Sequence, residues 1–254
     1  MSVYLAGSRP RAFVHRGWHI GDLAGCENTM AAFTRAVDEG YQYLETDVHA
    51  TADGVLIAFH DYRLDRVTDS RGRIAELSWD EISKARIGGR EPIPLLAEVL
   101  AGFPTARFNI DPKSDRTVGP LIELLRQSDA VDRVGLGSFS DRRLVLLRAA
   151  LGTAVSTSLG PRAVGSLVAA SKLGFGINTQ GAQSAQVPVR FGAVRIISPS
   201  FVAAAHRIGL EVHAWTIDSP AGMNRLLDMG VDGIITDRPD VLRRVLTDRG
   251  QWHG

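Results

Sequence analysis

A single cysteine, Cys26, in a chain of 254 residues excludes an internal disulfide, and with it the small secreted folds that depend on disulfide frameworks. Lysine is almost as scarce: Lys84, Lys113 and Lys172 are the only three in an arginine-rich chain, so a lysine in a chemically useful position stands out. No long basic run accompanies the net charge of +1. That removes the electrostatic footprint of a nucleic-acid binder or a polybasic membrane anchor. No apolar stretch is long enough to span a bilayer, and the opening MSVYLAGSRPRAF lacks the apolar centre of a signal peptide. These absences lead us to expect a soluble, cytoplasmic protein with no nucleic acid and no stable membrane insertion. Repeats and low-complexity segments are missing too. What is present, 44% hydrophobic residues, suffices for one large α/β domain or two small ones.

The stretch Tyr43 to Asp61, YLETDVHATADGVLIAFHD, reads as a strand, a tight turn at Asp53-Gly54 and a second strand. In an extended chain Leu44, Thr46 and Val48 point one way and Glu45, Asp47 and His49 the other. Two carboxylates thus share a face about 6.6 Å apart, where they repel by about 2.5 kcal/mol at an effective dielectric of about 20. A positive group is expected between them.

Around this stretch the pattern alternates. Ala12–Val14 is a short apolar run that delivers His15-Arg16-Gly17, and Asn28 is a reasonable N-cap for a helix from Thr29 to Glu39. Residues 62–92 carry no strong core pattern beyond a capping box at Ser78 and Glu81. They read as an insertion that covers a site mouth, selects the substrate and adds little to stability. In Ala106–Lys113 a strand places Asn109, Asp111 and Lys113 on one face. Thereafter helix and strand alternate with short links, residues 174–198 being the hardest to place. The count is about eight strand–helix units. That favours a single (β/α)8 TIM-type barrel over 1–254, with a small insertion after the second strand unit, rather than an open doubly wound sheet.

In such a barrel the site lies at the C-terminal ends of the strands. Those ends supply His15, Arg16, Glu45, Asp47, His60, Asp111, Lys113, Phe139, Trp215 and Asp237. Three carboxylates from neighbouring strands suit a hard divalent cation such as Mg²⁺ or Ca²⁺, whereas no histidine or cysteine cluster has zinc spacing. Arg16 and Lys113 suit an anionic phosphate, and two histidines suit acid–base work near neutral pH. Trp215 and Phe139 serve equally well as barrel filler. Asp237, before Arg238-Pro239, reads as a turn initiator. His19, His49, His206, His213 and His253 read as ordinary satisfied or exposed histidines.

Taken together, HRG at 15–17, ENT at 27–29, ETD at 45–47 with TADG at 51–54, HD at 60–61, the acid and lysine at 111 and 113, WT at 215–216 and TDRP at 236–239 carry a family resemblance. From about Phe13 to Leu242 the chain resembles the glycerophosphodiester phosphodiesterases. The resemblance implies hydrolysis of a glycerophosphodiester to sn-glycerol 3-phosphate and an alcohol. It also implies a divalent metal on Glu45, Asp47 and Asp111, His15 and His60 as acid and base, and Arg16 and Lys113 on phosphate. Two departures stand out: Asp111 replaces the commoner glutamate, one methylene longer, and the loop WHIGDLAGC at 18–26 lacks the proline common before ENT. Rival readings are a lysophospholipase D-like activity on the same scaffold and a catalytically silent barrel used as a binding module.

Overall fold

In the computed structural model, which describes residues 3–254, eight parallel strands alternate with eight helices. The strands are β1 (Arg11–His15), β2 (Tyr43–Ala50), β3 (Arg107–Pro112), β4 (Val134–Leu136), β5 (Ser156–Thr157), β6 (Ser184–Pro188), β7 (Glu211–Trp215) and β8 (Gly233–Thr236). The helices are α1 (Met30–Asp38), α2 (Leu96–Gly102), α3 (Asp115–Gln127), α4 (Asp141–Leu151), α5 (Pro161–Leu173), α6 (Pro199–Arg207), α7 (Pro220–Asp228) and α8 (Pro239–Asp248). The strand order runs from β5 down to β1 and on through β8, β7 and β6. A parallel bridge between Ser158 and Ser184, with Leu159 N donating to the Ser184 carbonyl at 2.8 Å, brings the two ends together. The barrel expected from the alternation is the architecture found.

Local chemistry explains the element ends. Helices α5 to α8 each begin on a proline, whose missing N–H costs nothing in a first turn. Ser140, Ser198 and Ser219 cap α4, α6 and α7 by accepting from the backbone N–H three residues on. Strands β2 and β8 are buried along their whole length, as expected where helices cover one face and the barrel interior the other.

The bottom of the barrel is polar yet satisfied. Arg11 grips Glu211 through Nε and Nη2 at 2.7 and 2.8 Å and donates to the Tyr43 hydroxyl at 2.7 Å, while His213 Nε2 lies 3.0 Å from Glu211. His213 is thus a satisfied core histidine, as read from the sequence, and His206 likewise pairs with Asp232 at 2.7 Å. Tyr4 plugs this end against Gly135, where an added Cβ would come within 2.3 Å of the tyrosine ring. Gly135→Ala should therefore lower stability by about 1–3 kcal/mol, the usual cost of overpacking a filled core. Chemical denaturation would show it, and a midpoint equal to the parent's would refute this packing.

Two expectations need correction. Asn28 does not cap α1: Thr29 does, its hydroxyl accepting from Ala32 N at 3.1 Å, because Asn28 sits at φ 57° and turns its side chain inward to Thr46. The insertion, moreover, is not a thin cover. Leu64, Ile74, Ile82, Ala85 and Ile87 bury themselves with Ile57, Phe59 and Ile93 in a compact cluster of its own. Each such side chain taken from water contributes about 1.5–3 kcal/mol, so the segment stabilises the fold. The Ser78–Glu81 capping box is present as read.

Candidate active site

His15 ends β1 and faces Glu45 across the β1–β2 register, and Asp47 stands beside Asp111 across β2–β3. All nine residues singled out as site candidates, His15, Arg16, Glu45, Asp47, His60, Asp111, Lys113, Phe139 and Trp215, line one cavity of about 650 Å³ at the C-terminal ends of the strands. The loop after β1 is folded tightly to achieve this. Arg16 is held at φ 57°, donating its backbone N–H to the Glu45 carbonyl at 3.1 Å, and Gly17 at φ 78° packs where a Cβ would meet the Ala32 Cβ at 2.9 Å. A left-handed arginine and a glycine that cannot be enlarged give the HRG motif its physical reason.

Positive groups do stand among the carboxylates. Lys113 Nζ sits 2.6 Å from Asp47 and 2.9 Å from Asp111, and Arg16 Nε lies 3.1 Å from the other Asp47 oxygen. Burial pushes the Asp47 carboxyl up, but Lys113 and Arg16 outweigh it and leave it below the usual carboxylate range. Burial and the charge of Asp47 push the Glu45 carboxyl up to about 7, outweighing His15, Arg16 and Lys113. Burial raises Asp111 as well, and its Oδ1 is buried without a hydrogen-bond partner. These are hard oxygen donors, one of them unsatisfied, and they fit a hard divalent cation. With Lys113 between two of the three, no trio of metal-ligating side chains stands in binding geometry among the described residues.

Each of the two histidines is oriented by an aspartate. His15 Nδ1 lies 2.6 Å from Asp237 and His60 Nδ1 2.6 Å from Asp61, which leaves both Nε2 atoms free of these pairs. Burial disfavours the His15 imidazolium, but Glu45, 3.7 Å from Nε2, and Asp237 outweigh it and raise its pKa. Asp61 is held in turn by Arg66 at 2.6 Å, and Arg66 also grips Glu27 at 2.7 and 2.9 Å; burial works against the Asp61 anion, but Arg66 and His60 bring it down to about 2.

Sequence reading missed part of this support. Asp237 orients His15 as well as preceding a proline-led helix, and His19, read as ordinary, reaches the same Asp237 oxygen from 3.2 Å. His49 packs edge-on against Tyr62, 5.0 Å between centroids, and its Nε2 lies 3.0 Å from the His60 carbonyl. Glu27, within ENT, pairs with Arg16 at 3.0 Å. No residue of 62–92 lines the cavity. The insertion reaches the site through Arg66 and through Tyr62, whose hydroxyl donates to the Lys113 carbonyl at 3.0 Å. Residues 159–165 and 186–196 supply much of the cavity wall.

Comparison with known proteins decides the family: the model of the glycerophosphoryl diester phosphodiesterase family matches residues 15–241. The chain belongs to that family. It is therefore a phosphoric diester hydrolase, as the resemblance implied. A relative from Mycobacterium tuberculosis, named probable glycerophosphodiester phosphodiesterase 2, is 40% identical over 247 residues, covering 96% of this chain and 93% of that one. A glycerophosphodiester phosphodiesterase from Caldanaerobacter subterraneus subsp. tengcongensis is 30% identical over 253 residues, covering 91% and 97%. Among solved structures, an Oleispira antarctica phosphodiesterase in complex with the product sn-glycerol-3-phosphate superposes with a TM-score of 0.76 at 23% identity, covering 94% of this chain and 97% of that one. Within the phosphodiesterase described here, no helix among the described residues is long and apolar enough to cross a membrane.

Proposed function

We propose that the protein hydrolyses glycerophosphodiesters to sn-glycerol 3-phosphate and an alcohol, with His15 and His60 as the acid–base pair. The observation that carries this reading is the pair of Nδ1-anchored imidazoles lining one cavity with Arg16 and Lys113. An aspartate on Nδ1 fixes the ring and its tautomer and leaves Nε2 as the working nitrogen. One histidine takes the proton of the attacking oxygen, and the other returns a proton to the departing alkoxide. Arg16 and Lys113 bind the phosphate and offset charge that develops on its oxygens.

Glu45, Asp47 and Asp111 would hold a divalent ion, Mg²⁺ or Ca²⁺, consistent with the unpartnered Asp111 oxygen and the raised Glu45 pKa. When bound, that ion supplies Lewis acidity and fixed positive charge at the phosphoryl group. Phe139 and Trp215, edge to face with centroids 5.5 Å apart, offer the glycerol carbons an apolar surface. The product complex of the Oleispira antarctica relative supports the same choice of product.

Incubation with glycerophosphocholine and Mg²⁺ or Ca²⁺ should release sn-glycerol 3-phosphate and choline, read with a dehydrogenase-coupled assay. Release of glycerol and phosphocholine would place the cleavage on the other P–O bond and overturn the reading.

A further inference from the structure

The insertion sends one charged side chain toward the site without lining the cavity. Arg66 ends a single 3-10 turn, Leu64–Arg66, whose Leu64 is buried in the insertion's own apolar cluster. Backbone ties hold that turn: Leu64 N donates to the Gly72 carbonyl at 3.0 Å, and the Thr68 hydroxyl donates to the Leu64 carbonyl at 2.9 Å. The Arg66 guanidinium therefore projects from a fixed base, although its side chain stays half exposed.

Two carboxylates share that guanidinium, each through two donors. Nε and Nη2 donate to Asp61 Oδ2 and Oδ1 at 2.6 and 3.1 Å, and Nη1 and Nη2 donate to Glu27 Oε2 and Oε1 at 2.9 and 2.7 Å. The point charge of a lysine has no equivalent of a planar fork that serves two acids at once. Each acid gives its remaining contact to a cavity residue. Asp61 Oδ1 meets His60 Nδ1 at 2.6 Å, and Glu27 Oε1 accepts from Arg16 Nη1 at 3.0 Å. Among the described residues, neither acid has a further ion-pair partner. Burial works against the Glu27 anion, yet Arg66 and Arg16 leave its carboxyl below the usual range. Without Arg66, the Asp61 carboxylate would be free to turn away from His60. Glu27 would have Arg16 as its one remaining cation and would draw that guanidinium away from phosphate. Arg16 has donors to give, for its buried Nε makes no hydrogen bond.

We propose that Arg66 is a positioning residue of the phosphodiesterase reaction: one guanidinium sets both the Asp61 that orients His60 and the Glu27 that keeps Arg16 in place for phosphate. The inference rests on the phosphodiesterase reading above and gives the insertion a part in the rate.

The test is steady-state hydrolysis of glycerophosphocholine by the full chain with Mg²⁺ or Ca²⁺. Arg66→Ala should lower kcat by about 10- to 100-fold, the scale expected when a reacting group drifts by about 1 Å. It should also raise KM, since Arg16 loses its place. Arg66→Lys should recover little of either, because charge without the fork restores neither pairing. That variant carries the same test if the alanine variant fails to fold. Coupling separates positioning from mere structural support. In an Asp61→Asn, Glu27→Gln background, Arg66→Ala should cost less than about threefold in kcat/KM, because the groups through which it acts are already disabled. A purely structural role would cost as much there as in the parent. An active parent whose Arg66→Ala variant keeps the parental kcat/KM, or loses as much in the doubly substituted background, would overturn the inference and leave the phosphodiesterase reading standing. A parent that releases no sn-glycerol 3-phosphate would overturn that reading and the inference with it.

Discussion

His15→Ala and His60→Ala should each lower turnover of a glycerophosphodiester by about 10²- to 10⁴-fold, the usual contribution of a positioned acid or base. Both side chains sit at strand ends on the cavity, and neither takes part in the buried apolar clusters, so thermal unfolding should stay near the parent's. The two losses are separable by leaving group. A p-nitrophenyl ester expels an anion that needs no proton, so the variant lacking the general acid should recover most of its rate on that substrate. The variant lacking the base should not. Asp237→Asn and Asp61→Asn should cause smaller losses, since each removes the group that holds a ring in place at 2.6 Å and leaves the ring itself. If either histidine variant keeps near-parental turnover on glycerophosphocholine, the two-histidine assignment is wrong.

Exhaustive chelation should abolish turnover, and Mg²⁺ or Ca²⁺ should restore it. The physical ground is the imbalance described above: Glu45 is left with a pKa near 7 and Asp111 with a buried oxygen that nothing satisfies, while Lys113 serves two of the three carboxylates at once. Asp47→Asn should weaken metal binding in a calorimetric titration independently of any assay of activity. It removes an anion against which Lys113 and Arg16 are both placed. Full activity in protein shown by elemental analysis to be metal-free would sink the assignment of Glu45, Asp47 and Asp111.

The barrel and most of the side chains that line its cavity were legible because both depend on local pattern. Alternation along Tyr43–Ala50 put Glu45 and Asp47 on one face, and strand ends delivered His15, Asp111 and Lys113 to one end of the barrel. What escaped was long-range. Asp237 lies 222 positions from His15, and only closure of the ring, which sets Thr236 beside Val14, makes them neighbours. A reader who assumed closure could have found it, since the residue after β8 must stand by the residue after β1. The insertion was undervalued for a related reason: its apolar residues were counted alone, while Ile57, Phe59 and Ile93, outside the segment, complete the cluster. Asn28 looked like a cap by composition. Its left-handed backbone, fixed by the carbonyl of Arg16 at 2.8 Å, gave that role to Thr29.

The seam between β1 and β8 brings His15 and Asp237 together only late in the synthesis of the chain. On a ribosome adding about 5–20 residues per second, His15 is available long before Asp237, and the two can meet only once β8 has been made and has paired with β1. Before Asp237 is made, the imidazole at the end of β1 lacks the carboxylate that meets its Nδ1. The contact of His15 with Asp237 thus joins two residues that only the pairing of β1 with β8 makes neighbours. Hydrolytic activity recovered during refolding should consequently trail secondary structure and appear together with the last tertiary signal.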